Sequence, residues 1–586
     1  MMSTLMEILN ELYSELSRSL TIEKIPADHK LFKDKFKEVW KIETEVEVGR
    51  FQKDIGLYIV FDESFPLTIP RIYLTKESSE GIGLIPHIDR DRFVCTFHTD
   101  ALILDTESPE NIVRTCLQKA KKIIKEGLEG SNHGDFKDEI MAYWTDTEES
   151  DIIQYLSLLP VLPSETTSLK ICKLTPPYHH IKYLLYKNNK DSSTKMILDF
   201  VLEKGCNGSE SDALFLADYE IDPQSHFPKN NEDILNSLSS NSIDIFRKYI
   251  DSSSIEKHIF FTAETSTKPI LLGWKHKILF TNRDGFRRGS LKPFTVLSKY
   301  QKSDKIERIF VNEYSNNRIE NRTSGILREK FTFLVTGLGS VGSNLIYFLN
   351  GLNYPNFKLI DNDVLKIENI GRHLLGVNNI NSLKTNALKA YLKNIRPDQD
   401  VSVKQSKLET IVTNNHDYFN DCSYAFIAIG NQNVENYLLK KMNEGIITVP
   451  MFFFWVEPYA IGGHCLFLHP EDKVSLDKLY QEQLYRFNIV APIEYVNSNP
   501  ILSKQEAGCQ TSYTPYSGND VILFLSAIYK WMNDIIQNRV KISMAIQWTG
   551  NINFAKDLGL AINESYAQNE AYTSNLFYLN DDNQKR

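Results

Sequence analysis

FTFLVTGLGSVGSNLIYFLN, residues 331–350, reads as a buried strand, a glycine turn and a helix in immediate succession. The strand FTFLVT leads into GLGSVGSN and then into the helix LIYFLNGLN. Gly337, Gly339 and Gly342 make G-x-G-x-x-G at the junction, where missing side chains let backbone approach phosphates at a helix N-terminus. By itself this motif fits NAD, FAD and ATP sites alike. Asp361 follows the first glycine at roughly the 20-residue spacing of a ribose-binding acid. Working outward, the strand NFKLID, the helical stretch SLKTNALKAYLKNI and the strand YAFIAIG continue the alternation. Strand and helix in turn predict a mostly parallel sheet with helices on both faces over residues 306–586.

The next stretch separates the cofactors. IDNDVLKIENIGRHLLGVNNINSLKTNALKA, residues 360–390, sets Asp361 beside Asp363 and follows them with Asn369, Arg372 and Lys384. Hydride transfer needs no cationic pair at the phosphates, whereas attack on the α-phosphate of ATP builds negative charge there. Residues 318–465 resemble the ubiquitin-activating superfamily, which includes the ThiF and MoeB proteins, in the glycine loop, D-x-D, N-x-x-R and the later lysine. The resemblance implies a Rossmann-like ATP-dependent adenylation domain. Asp361 and Asp363 would hold ribose or metal, with Mg²⁺ on Asp363, and Asn369, Arg372 and Lys384 would hold the phosphates. Where the family carries a magnesium-binding Asp, this chain has Gly430-Asn431. The family also often borrows an arginine from a partner subunit, and Arg318 and Arg322 are candidates, with a solvated surface arginine the alternative.

A carboxyl-adenylate needs a nucleophile, and cysteine is the best suited near neutral pH. The seven cysteines are scattered and contain no C-x-x-C, which is no disulfide framework and argues against a four-cysteine zinc site. Cys422, beside a strand, Cys465, in HCLFL, and Cys116, on an apolar helix face, are expected in the core. Cys509 sits in EAGCQTSYTPYSGND, a polar loop before the strong helix VILFLSAIYKWMNDII, and resembles in position the catalytic cysteine of activating enzymes.

Cys95 lies in GLIPHIDRDRFVCTFHTD, after FDESFPLTIPRIYL. Before it come an amphipathic helix (Leu5, Ile8, Leu12, Leu16, with Thr4 and Glu7 as a capping box) and period-two alternation from Trp40 through Val48. Strands at Leu57 to Phe61 and Ile72 to Leu74 complete an antiparallel meander. A helix capped by Ser108, with Pro109 first and Gly127 last, follows Cys95. Residues 1–130 resemble the ubiquitin-conjugating fold through Phe65-Pro66, Pro70-Arg71-Ile72, Pro86-His87 and Cys95, which stands where the family's catalytic cysteine stands. The oxyanion-supporting Asn of that family is missing, with His87 or His98 as substitutes or as ordinary surface histidines.

These readings give an α/β multidomain chain: a ubiquitin-conjugating-like α+β domain (1–150), a linker domain of mixed or helical pattern (151–305) and the adenylation domain (306–586). Conjugating module first and activating module last resembles the bacterial fusion proteins of CBASS antiphage operons, as does Asn369-Ile-Gly-Arg372-His373. That resemblance implies ATP-dependent activation of a protein C-terminus, that of a cGAS-like nucleotidyltransferase, a relay from Cys509 to Cys95 and conjugation to a target lysine. A ThiF-like activator of a ubiquitin-like or sulfur-carrier protein and an inactive binding scaffold stay open as alternatives. A net charge of −9 argues against coating nucleic acid. No apolar run spans a bilayer and no signal peptide is evident, so a cytoplasmic protein is expected. The superfamily resemblance and the apolar segments MFFFWV and AIGGHCLFL lead to the expectation of a homodimer.

Overall fold

The computed structural model describes Leu5 to Asn580 except residues 27–35, 90, 98–101, 145–153, 189, 222–226, 253–255, 277–291, 327–328, 353, 416, 482–483 and 506–511. The chain divides into two compact units, Met1–Lys190 with Gly205–Ile319, and Asp191–Lys204 with Glu320–Arg586.

The first unit opens with helix Leu5–Leu16, which buries Leu9, Leu12 and Leu16 and leaves Leu5 and Ile8 half-buried at its margin. Thr4 of the expected capping box lies outside the described residues. Strands Ile22–Ile25, Glu38–Val48, Phe51–Phe61, Arg71–Leu74 and Phe93–Val94 pair antiparallel in sequence order. Trp40, Ile42 and Val46 turn inward as their alternation requires, and each such burial stabilises by about 1.5–3 kcal/mol. Helix Pro109–Glu129 covers this face with Ile112, Val113, Cys116, Ala120, Ile123 and Ile124. It runs past the expected stop. A Cβ on Gly127 would lie 2.1 Å from Ile85 Cγ2, so this glycine serves close packing within the helix. Gly130, at φ 75°, ends it in the left-handed conformation.

The region whose pattern reads only as mixed or helical is a closed barrel. Its strands run in the order Lys257–Ala263, Ile270–His276, Glu307–Glu313, Gln154–Ser157, Ile181–Lys187, Thr167–Tyr178, Asn207–Leu216, and the last pairs with the first. Tyr155, Ile171, Tyr183, Leu185, Phe215 and Phe260 fill it. Glu307–Glu313 is a barrel strand, so the expected boundary at 305/306 falls one strand early. Helix Phe136–Trp144 ends against the barrel: the Trp144 indole N–H is shared between the carbonyls of Gly273 (3.1 Å) and Ile309 (3.0 Å). The Arg308 guanidinium lies over the Trp144 and Phe227 rings.

The second unit is built on an eight-stranded sheet, ordered Val401–Lys404, Asn356–Ile360, Thr332–Thr336, Tyr424–Ile427, Met451–Val456, Gly462–Leu468, Met544–Thr549, Thr573–Tyr578. The first five strands are parallel and the last three antiparallel. Helices Ser340–Asn350, Lys384–Ile395 and Gly518–Gln537 cover one face, and Leu408–Asn414 and Gln432–Asn443 the other. MFFFWV and HCLFL are central strands, all but Trp455 and Val456 buried, and therefore offer no outer apolar face for a second copy. Helix Ser192–Glu203 belongs to this unit, with Ser193 Oγ on Asp398 (3.3 Å) and Lys204 Nζ on Asn394 (3.0 Å). Among the described residues no helix is long and apolar enough to cross a membrane.

Candidate active site

The glycine turn is held from several sides. Gly337 is left-handed at φ 76°, and a Cβ there would meet Ala428 O at 2.5 Å. A Cβ on Gly342 would lie 2.1 Å from Gly337 O, so these two glycines are required by packing alone. Gly339 differs: nothing stands within 4 Å of its missing side chain, and no side chain caps the helix that it begins. Such an uncapped helix end suits an anion. Leu338 is clamped at both backbone atoms. Its N–H donates to Asp361 Oδ2 (2.7 Å), and its carbonyl meets His373 Nε2 (3.0 Å). His373 Nδ1 accepts the Leu375 N–H, so the ring is neutral and Nε2 is the donor. Burial depresses its pKa to about 4, in keeping with that. Asp361 Oδ1 accepts the Asp363 N–H (2.7 Å), so this carboxylate fastens the loop with both oxygens and keeps further lone pairs.

Asp363 is exposed and pairs with the buried Lys384 at 3.1 Å. Asn369 accepts the Lys366 N–H (3.0 Å). The Arg372 carbonyl accepts from Ser340 Oγ (2.8 Å) and Asn344 Nδ2 (3.0 Å), which fixes this backbone at the helix start. The Arg372 side chain turns to a later segment, donating from Nη1 to Thr514 O (3.1 Å) and lying 4.7 Å over the Tyr516 ring. Gly518 permits the approach, because a Cβ there would stand 3.0 Å from Arg372 Cα. No group of three His, Cys, Asp or Glu among the described residues suits a metal. Gly430 has φ 61° and open space where a side chain would go. Arg318 pairs with Glu313 at 3.6 Å, and Arg322 is exposed.

A cavity of about 750 Å³ adjoins this loop. Gly339, Ser340, Asn369 and Arg372 form part of its wall, and Leu502, Ser503, Tyr513, Thr514 and Tyr516 another part. Cys509 lies outside the described residues. The strands that bound its segment, Lys504–Gln505 and Ser512–Tyr513, pair antiparallel. Two acids that sequence reading missed also line the cavity. Glu457 is buried and saturated, taking the N–H groups of Ile489 (2.7 Å) and Val490 (2.9 Å), Tyr495 OH (3.0 Å) and His464 Nε2 (2.8 Å). Burial raises Glu435 to about 7. Glu457 carries no local sequence signal, since its partners come from separate elements, and Glu435 reads as an ordinary first-turn acid of helix Gln432–Asn443.

Cys95 is exposed at the end of the last meander strand. Its N–H donates to His87 O (2.8 Å). His87 is left-handed at φ 67° and is held by helix Phe136–Trp144 and the turn before it. Its N–H donates to Glu139 Oε2 (2.7 Å), its Nδ1 meets Glu139 Oε1 (2.6 Å) and its Nε2 meets Asp135 Oδ2 (3.1 Å). Tyr143 OH donates to Glu139 (2.9 Å). The bond to Glu139, aided by Asp135, raises the imidazole to about 8 against partial burial. With both nitrogens on carboxylates, the ring has no N–H for an oxyanion, so His87 does not stand in for the missing Asn. His98 lies outside the described residues. Partial enclosure, then Glu139 and Asp89, raise the Cys95 thiol. Cys116 and Cys465 are buried core residues, and Cys422 is half-buried with its thiol pushed up to about 12 by burial.

Residues 17–153 match prokaryotic E2 family B, and residues 323–514 match the ThiF family. Solved structures with partial likeness include E. coli MccB with ATP, at 12% identity and TM-score 0.28, covering 38% of this chain and 61% of that one. PaaA stands at 11% and 0.28, covering 37% and 60%. E. coli tRNA N6-threonylcarbamoyladenosine dehydratase, TcdA, with AMP stands at 18% and 0.21, covering 23% and 56%. The chain thus spans about three fifths of the length of these proteins. No curated protein matches it. An N-terminal segment similar to prokaryotic E2 family B is thus followed in this chain by a C-terminal segment similar to the ThiF family.

Proposed function

We propose that the chain activates the carboxyl terminus of another protein with ATP, captures it on Cys509, passes it to Cys95 and conjugates it to a lysine of a target. The observation that carries this reading is the shared wall: one cavity touches the uncapped helix end, Asn369 and Arg372, and also both flanks of the segment bearing Cys509. ATP fits these residues as a co-substrate. The helix start at Gly339 and the cations Arg372 and Lys384 suit its phosphates, and Asp361 keeps lone pairs for ribose hydroxyls. Asp363, the acid that would hold magnesium, is paired with Lys384, so a magnesium ion taking that carboxylate would at the same time release Lys384 to the phosphates.

The substrate carboxylate attacks the α-phosphorus and pyrophosphate leaves. The Cys509 thiolate then attacks the acyl carbon and AMP leaves. Cys95 attacks the resulting thioester and the Cys509 thiolate departs. Last, a lysine amine attacks, losing a proton, and the Cys95 thiolate leaves. Following the resemblance to CBASS fusions, the activated protein is a cGAS-like nucleotidyltransferase and the setting is cytoplasmic antiphage defence. ATP–pyrophosphate exchange with that protein, and mass spectrometry of acyl groups on Cys509 and Cys95, test the reading; no exchange and no adduct would refute it.

A homodimer belongs to the same proposal. Exposed Ile522, Leu523 and Trp531 on helix Gly518–Gln537, with Tyr347 on the neighbouring helix, supply apolar surface for it. Sedimentation at micromolar concentration is expected to give twice the 67.6 kDa chain mass, and a monomer would count against it.

A further inference from the structure

Helix Phe136–Trp144 touches both the turn that carries Cys95 and the barrel, and all three belong to the first unit. Tyr143 follows Glu139 by four residues, and Asp135, in the turn before the helix, precedes it by four, so the three share one side. That side meets the Cys95 turn. Asp135 and Glu139 take the two ring nitrogens of His87, and Glu139 also takes its N–H. Tyr143 OH lies 2.9 Å from Glu139 Oε2 and 3.4 Å from Ile85 O. The His87 carbonyl in turn holds the Cys95 N–H.

The barrel grips the same helix at both ends. The fully buried Trp144 closes it, with its indole N–H on the carbonyls of Gly273 and Ile309, which are direct partners on neighbouring strands. Arg308 lies over the indole and donates from Nη1 to Tyr143 O (3.3 Å), one of the last-turn carbonyls that a helix cannot satisfy by itself. A cation at this end also suits the helix dipole. At the other end Asp138 Oδ1 accepts the Ser266 N–H (2.9 Å) and hydroxyl, from the loop between barrel strands Lys257–Ala263 and Ile270–His276. Leaving a buried indole N–H unpaired is costly, so Trp144 fixes the helix, whereas the exposed Asp138–Ser266 bonds contribute less. Gly273, Arg308 and Ile309 all lie beyond the segment 17–153 that matches prokaryotic E2 family B.

We infer that the barrel sets the reactivity of Cys95 through this helix, with Trp144 the principal positioning residue and Asp138 a lesser one. The route is contiguous, from barrel carbonyls to indole, helix, Glu139, His87 and Cys95, and each step is a hydrogen bond or a rigid element. It acts on the thiol in two ways. The His87 carbonyl fixes the Cys95 backbone, and the Glu139 carboxylate, together with Asp89 of the turn itself, disfavours the thiolate. The coupling needs no acyl transfer, and only its bearing on conjugation rests on the proposed function.

Alkylation of Cys95 in the full chain, resolved from the other cysteines by peptide mass spectrometry, reads the thiol whether or not it ever carries an acyl group. Trp144→Phe keeps a ring and removes the N–H. It is expected to quicken alkylation at neutral pH by roughly threefold, the rise in thiolate that accompanies a modest fall in thiol pKa. The His87 titration, followed by NMR of isotope-labelled histidine, should move down from about 8, because Glu139 and Asp135, the carboxylates facing that ring, are held less firmly. In a Glu139→Gln background the same substitution should add nothing. Asp138→Ala should quicken alkylation less, and Asp138→Asn, which keeps an acceptor for Ser266, should restore the wild-type rate. Ile171→Val trims the barrel filling, which Trp144 does not join, and should change neither readout. The coupling is overturned by a wild-type rate and His87 midpoint in Trp144→Phe, by the same quickening in the Glu139→Gln background, or by equal quickening in Ile171→Val. If Trp144→Phe does not fold, an unchanged rate in Asp138→Ala overturns it. Failure of the relay with these effects intact refutes the proposed transfer and leaves the coupling standing.

Discussion

The surroundings of Cys95 and the cavity beside Gly339 handle their polar groups in different ways. Around Cys95 the chain supplies its own partners: both nitrogens of His87 rest on carboxylates, and its carbonyl takes the Cys95 N–H. Helix Phe136–Trp144 delivers Glu139 there and is anchored by Trp144 in the barrel. In the cavity, Glu435, Tyr485 and Asn488 each keep an unpaired atom. The first region is fixed by internal contacts; the second mixes a saturated acid, Glu457, with side chains that keep an unpaired buried atom.

The largest effects come from removing the cysteines. With Cys95→Ala, the acyl group is expected to accumulate on Cys509 and lysine conjugates to vanish; wild-type conjugation would mean that the N-terminal region only docks. Cys95→Ser should trap an ester that survives thiol reductant. With Cys509→Ala, adenylation persists and the first thioester is lost, so a thioester still forming on Cys95 would break the relay.

Arg372→Ala comes next. A donor aimed at developing phosphate charge is worth about 10²–10³ in rate, so exchange should fall by that factor. One hydrogen bond and one ring contact hold the side chain, so thermal unfolding should shift little. Near-normal exchange would leave Arg372 a mere tether for the Thr514–Tyr516 segment.

Glu139→Gln probes the self-contained region. Because the folded state raises His87 from 6.5 to about 8, its stabilisation is full below the ordinary histidine value and is lost as pH rises through 8. The shift corresponds to about 1–2 kcal/mol after allowing for solvent screening of a partly exposed ring. The melting temperature of the wild type should therefore drop between pH 7 and 9, and the variant should show a flatter profile. Alkylation of Cys95 at fixed pH should quicken in the variant, because a negative neighbour that holds the thiol protonated is gone. An unchanged pH profile and alkylation rate would show that the clamp does not act on the thiol.

The smallest effect is expected from Gly430→Asp. The site has room, and its left-handed backbone costs an aspartate about 1 kcal/mol. The variant should fold and reach half-maximal exchange at a lower magnesium concentration than the wild type; an unchanged magnesium dependence would show that position 430 does not face the phosphates.

The parallel sheet was legible because residues 331–350 state strand, turn and helix without interruption. The barrel was not. Ile181–Lys187 buries Tyr183, Leu184, Leu185 and Tyr186 in a row, which erases the alternation by which a strand is recognised. Cys95 and His87 stood out through their neighbours in sequence, but the acids that hold His87 lie 48 and 52 residues further on. Glu435, Tyr485 and Asn488 share a wall only after separate segments fold together. The apolar segments MFFFWV and HCLFL are apolar because helices cover both faces of the sheet there, which leaves them no part in a dimer surface.

Helix Ser192–Glu203 has a consequence for inheritance. It is written between two barrel strands yet belongs to the second unit, so the chain passes between units three times, after Lys190, Lys204 and Ile319. A recombination with one breakpoint near residue 320 would deliver a second unit lacking the partners of Asp398 and Asn394, and would leave the barrel with an orphaned helix. The two units are therefore heritable together more readily than apart, and a single proteolytic nick would not yield either one whole.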